Sequence, residues 1–93
     1  MSNTFFSVWV FHGANGRFAS GVFTTRVLAE SWISKYGLTG MLTEYPLDIS
    51  AYDWALTMNF FAVKKEAQGQ AEFIQKFTTA SQEHFHYENG KLD

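Results

Sequence analysis

The sequence predicts an α+β domain: a mostly antiparallel sheet of about four strands with two to three helices packed on one face. Three observations predict it. Two runs of aromatic and β-branched residues, 5–11 and 18–23, flank a turn rich in Gly and Asn. A capped stretch with apolar residues at helical spacing follows them. Near the end, "HFHYE" alternates polar and ring side chains with the period of two that a strand requires.

The first two runs form a predicted hairpin, because Gly13, Asn15 and Gly16 tolerate the positive φ of a tight turn. In the first strand Phe5, Trp9 and Phe11 share one side while Phe6, Val8 and Val10 share the other, so both faces need cover and the strand is either central in its sheet or meets a partner with its second face. Thr24 or Thr25 caps a helix carrying Leu28, Ala29, Trp32, Ile33 and Tyr36, and Gly37 stops it. "LTGMLTEY" returns to strand character until Pro46, which has no backbone N–H to give a ladder. Ser50, three residues before Asp53, opens a short helix over 51–58. From 64 to about 82, good helix formers and the stripe Phe73, Ile74, Phe77, Ala80, Ser81 predict another helix, with an irregular start at Gly69. "HFHYENGKL" then closes the fold as a strand that turns at Asn89-Gly90.

Composition limits what such a domain does. With 93 residues the chain has the length of a single domain, 1–93, with one core. A formal charge of -2 gives a phosphate backbone little to attract, so neither nucleic acid nor a membrane surface is an expected partner. The lack of cysteine removes thiolate nucleophiles, sulfur ligands and disulfides, which suits a reducing, cytoplasmic setting. The apolar run at 5–11 is too short to span a bilayer and lacks the flanks of a signal peptide. No nucleophile elbow or dinucleotide fingerprint is present, so no catalytic residue and no cofactor is assigned.

Histidine and carboxylate clusters are the remaining candidates for chemistry. His84 and His86 share a strand face roughly 6.6 Å apart at Cα, close enough to chelate one ion, but Glu88 lies roughly 13 Å from His84 along a strand. A metal site would therefore need His12, Asp53 or Glu83 to arrive from elsewhere, and the simpler reading is a half-solvated strand with Phe85 and Tyr87 facing inward. His12, beside the turn "HGANGR", is placed to act either as a base or as a donor to a turn carbonyl. Ten phenylalanines, four tyrosines and three tryptophans are more rings than one small core hides, and exposed rings beside carboxylates make recognition surfaces.

The segments "VWVFHGANGRFASGVFTT", "GMLTEYPLD", "YDWAL" and "SQEHFHYENG" together resemble an uncharacterised family of small bacterial single-domain proteins, over nearly the whole chain. The resemblance implies a bacterial origin and a self-contained fold, with no activity to carry over. Read from its residues, the chain is expected to bind a protein partner. The concrete form of that expectation is an immunity protein or antitoxin that occludes the active site of a bacterial toxin, contacting it through Glu44, Asp48, Asp53, Glu83, Glu88, Tyr45, Tyr52 and Trp54. The alternatives are a small metal-dependent or histidine-based enzyme or ligand binder using His12, His84 and His86, and a homodimer that pairs its own exposed rings.

Overall fold

A computed structural model describes residues 6–93, so the expectation placed on Phe5 lies outside the described residues. The chain divides into two compact units, one formed by Ser7–Tyr45 with Gln82–Asp93 and the other containing Pro46–Ser81. The fold class is α+β, and the first unit holds a five-stranded antiparallel sheet, one strand more than the pattern alone suggests.

In that unit the strands are β1 (Ser7–Gly13), β2 (Gly21–Phe23), β3 (Gly40–Pro46), β4 (His84–Glu88) and β5 (Lys91–Leu92), in the spatial order β2-β1-β3-β4-β5. β1 lies inside the sheet, between β2 and β3, the first of the two placements expected for it. The predicted hairpin forms with a shorter second strand, and Trp9 pairs with Phe23 and Val10 with Val22. β3 pairs antiparallel with β4, which sets Met41 opposite His86, Leu42 opposite Phe85 and Thr43 opposite His84. The added strand β5 comes from the turn at Asn89 and Gly90, whose φ values of 51° and 84° are those of a tight two-residue hairpin.

The helix α1 (Arg26–Tyr36) covers one face of this sheet. Thr25 caps it as expected, its Oγ1 accepting the Leu28 N–H at 3.2 Å, and Gly37 ends it in the left-handed region at φ 64°. Ala29 and Ile33 of α1 are fully buried against Trp9, Phe11, Leu42 and Tyr87. Phe11 also meets Trp32 edge to face at 5.6 Å, a geometry worth about 0.5–1.5 kcal/mol beyond the area it buries. Leu28 and Tyr36, assigned to the same apolar stripe by spacing, are instead exposed. The Thr25→Ala protein is expected to lose about 1 kcal/mol, because one N–H of the first helical turn loses its acceptor, while Thr25→Ser keeps the oxygen and the stability. Urea denaturation midpoints compare the two.

In the second unit α2 (Ala51–Thr57) begins at Ser50, whose Oγ accepts the Asp53 N–H at 2.9 Å and donates to the Asp53 carboxylate at 2.9 Å. The long helix expected over 64–82 does not form. A 3₁₀ turn at Glu66–Gly69 and a single helical turn α3 (Ala71–Ile74) take its place. Two side chains explain the interruption. Gln68 turns its Oε1 back onto the N–H groups of Lys64 and Lys65, and its carbonyl accepts the Tyr52 hydroxyl at 2.8 Å, so it is committed away from a helical ladder. Phe73 and Phe77 close instead on Tyr52 and Phe61, with ring centroids 5.0–6.3 Å apart. Length predicts one core; the described residues hold two clusters of rings.

Candidate functional site

The side chains that α1 does not cover follow from the register. Since Leu42 and Phe85 point toward α1, the pairs Met41–His86 and Thr43–His84 point to the opposite face. On the other side of β3, the Ala14 N–H donates to the Thr39 carbonyl at 3.0 Å, and counting back along antiparallel strands brings His12 beside Met41. His12, Met41 and His86 thus form a row across three strands. They line a groove of about 530 Å³ together with Thr43, Tyr45 and Glu88. His12, His86 and Glu88 are exposed, and Tyr45 keeps 38% of its surface, so solvent reaches the groove from these side chains.

The hydrogen bonds of the histidines decide between their expected roles. A carbonyl oxygen only accepts, so the 2.9 Å contact of His12 Nε2 with the Gly16 carbonyl makes Nε2 the protonated nitrogen. His12 therefore ties down the hairpin turn and leaves Nδ1 as an acceptor. By the same argument His84 donates Nδ1–H to the Gln82 carbonyl at 2.8 Å. The rings of His84 and His86 meet edge to face with centroids 5.8 Å apart. Among the described residues, no three His, Cys, Asp or Glu side chains come together to hold a metal.

The expected contact residues separate by environment. Tyr45 and Glu88 line the groove, and Glu83 is exposed just before β4. Glu44 takes the other side of β3, half-buried, where its carboxylate accepts the Ser7 hydroxyl and its carbonyl accepts the Nε2–H of the buried Gln82. A carboxylate held in this way braces the sheet and does not belong to the exposed acidic set. In the second unit Asp48 is exposed in a turn at φ 65°, Asp53 serves the start of α2, and Trp54 is half-buried against Phe60. Tyr52 is a correction: only 7% exposed, with its ring inside the aromatic cluster and its hydroxyl bonded to Gln68, it offers no surface to a partner. Of the surplus rings, Phe6, Phe18, Tyr36 and Phe60 are exposed, and none of them lines the groove.

Behind the groove, Tyr87 points from β4 toward α1. Its hydroxyl donates to Glu30 at 2.6 Å, and the guanidinium of Arg26 stacks 3.6 Å from the ring centre of Phe85. Arg26 Nε stands 3.3 Å from Glu30 yet makes no hydrogen bond, so the pair is one of proximity. Burial, reinforced by the hydrogen bond to Glu30, pushes the Tyr87 hydroxyl up to about 12. This cluster and the half-buried Met41 and Thr43 were not singled out by sequence reasoning. Strand alternation in "GMLTEY" puts Met41, Thr43 and Tyr45 on one face, but only the pairing with β4 shows that they meet the histidines.

A family model for a domain of unknown function, DUF7710, matches residues 8–93 and so takes in both units. The chain belongs to this family. No curated protein and no solved structure matches it. Membership in DUF7710 thus accounts for the resemblance across the chain and leaves the activity to be argued from the groove. No helix among the described residues is long and apolar enough to cross a membrane.

Proposed function

We propose that this DUF7710 domain is a protein-binding module whose contact surface is the groove on the sheet face turned away from α1. The observation that supports this reading best is the unequal treatment of the two faces. One is closed by Ala29 and Ile33 of α1, while the other gathers Tyr45, Met41, His86 and Glu88 around an accessible concavity. Tyrosine and methionine flanked by polar groups are the side chains that interfaces favour. The narrower form of the proposal is a cytoplasmic immunity protein or antitoxin that neutralises a bacterial toxin by covering its active site. Its support is the formal charge of -2 and the placement of Tyr45 and Glu88 in the groove. A histidine-based ligand site is the second reading, favoured by the presence of His12 and His86 in the same groove.

The test pairs the wild-type chain with a Tyr45→Ala/His86→Ala variant, both purified from the native source. Both positions are largely outside the core, so circular dichroism and melting are expected to match. A partner retained by the wild type and weakened at least tenfold by the double substitution supports the module. Retention of the partner by the folded variant rejects the groove as its contact surface. Concentration-dependent sedimentation of the wild type alone, abolished in the variant, would assign the surface to a second copy. Zinc shifting the His12 and His86 ring signals at micromolar concentration would favour the ligand site.

A further inference from the structure

Resting on that reading, we infer that the groove receives a lysine- or arginine-bearing segment of the partner protein. The argument is one of complementarity. The acidic residues that line the groove are Glu88 and Asp93, and among the described residues no lysine or arginine lines it. Lys91 is the cross-strand neighbour of Glu88, but the ion pairs formed among the described residues are Arg26–Glu30 and Lys76–Glu72, so Glu88 is not held by Lys91. His12 has given its Nε2–H to the Gly16 carbonyl and turns no donor from that nitrogen to a ligand, while in the neutral ring its Nδ1 accepts. The hydroxyls of Thr43 and Tyr45 add further acceptors.

Met41, Ala14 and Tyr45 add apolar surface to the lining. Such a surface matches a long basic side chain, whose methylenes lie along apolar atoms while its charged head reaches a carboxylate. An arginine also gains by stacking its planar head on a ring. A neutral apolar segment would gain nothing from the exposed Glu88 and Asp93, and an acidic one would be repelled by them. At about 530 Å³ the groove exceeds one side chain and falls within the range of specific ligand clefts, which fits a few consecutive residues of a partner.

The inference is tested by NMR titration of the full chain with a blocked Gly-Arg-Gly-Lys-Gly peptide and with its neutral counterpart, in which citrulline and acetyl-lysine replace the two basic residues. The basic peptide is expected to shift the Met41 methyl and the His12 and His86 ring signals. The neutral peptide is expected to bind at least fivefold more weakly, and Glu88→Gln with Asp93→Asn to cause a similar loss for the basic one. Equal binding of both peptides in the groove would overturn the preference for a basic segment while leaving the groove as a protein-contact surface. Groove signals unmoved by either peptide at millimolar concentration, in a chain that still loses its native partner through Tyr45→Ala/His86→Ala, would overturn the basic-segment inference alone. Unmoved signals together with an unaffected native partner would remove both.

Discussion

The Gly40→Ala protein is expected to lose about 3 kcal/mol of folding free energy, near the upper end of what overpacking usually costs. Gly40 opens β3 where the strand passes β1 closely. A Cβ at this position would stand 2.7 Å from the ring of Phe11 and 2.8 Å from the Gly13 Cα, and would press on the His12 carbonyl oxygen. None of these neighbours yields easily. Phe11 is 2% exposed in the core, and the other two contacts are with backbone in a hydrogen-bonded strand. Relief requires β1 and β3 to separate, which would disturb the ladder that also carries Trp9 and Leu42. Against a total stability of roughly 5–14 kcal/mol for a chain of this length, the loss is large. Gly69→Ala supplies the control, since a Cβ there meets nothing within 4 Å and the smaller entropy of the unfolded chain makes the substitution neutral or slightly stabilising. Urea titration of both proteins checks the expectation, which fails if their midpoints coincide.

The two ends of α1 are legible because their signals are local: a threonine oxygen within reach of an N–H three residues on, and a glycine free to enter the left-handed region. The polarity of β4 was legible for the same reason. A period of two assigns Tyr87 to the core and His86 and Glu88 to solvent without any knowledge of the neighbouring strands. The segment 64–82 misled because its helix formers are weak priors, and the packing of Phe73 and Phe77 on Tyr52 and Phe61 outweighs them. Tyr52 itself reads as a surface ring because two of its ring partners, Phe73 and Phe77, lie in a segment that reads as a separate helix.

The groove was the least legible feature. Met41 meets His86 through a pairing between strands far apart in the chain, and His12 joins them only because β1 lies on the other flank of β3. Strand order is a tertiary property, so alternation within each strand names the face but not the neighbours. Glu44 illustrates the converse. Its charge suggested a contact with a partner, whereas Ser7 and Gln82 occupy its carboxylate and carbonyl from two other parts of the sheet unit.

Tyr87 is expected to make the domain lose stability in alkali through a single hydroxyl. Its proton is held beyond the ordinary tyrosine value of 10, up to about 12, first because burial penalises the phenolate and then because Glu30 accepts its hydrogen bond. The unfolded chain releases this proton near pH 10 and the folded one near pH 12, so between these values the folded state binds more protons. Stability therefore falls as pH rises, by about 1.4 kcal/mol per unit from this group. The contribution is fully present below pH 10 and is lost as pH passes 12, on the order of 2–3 kcal/mol in all. Tyr87→Phe keeps the ring against Ile33 and Leu42 but removes both the proton and the bond to Glu30. Wild type is therefore expected to exceed the variant in stability at pH 8, with the gap closing between pH 10 and 12, as read from urea midpoints at each pH. Because lysines and the other tyrosines titrate in both proteins, only the difference between the two curves reports on Tyr87. A gap that stays constant across this range would show that the hydroxyl binds its proton no more tightly in the folded chain than in the unfolded one.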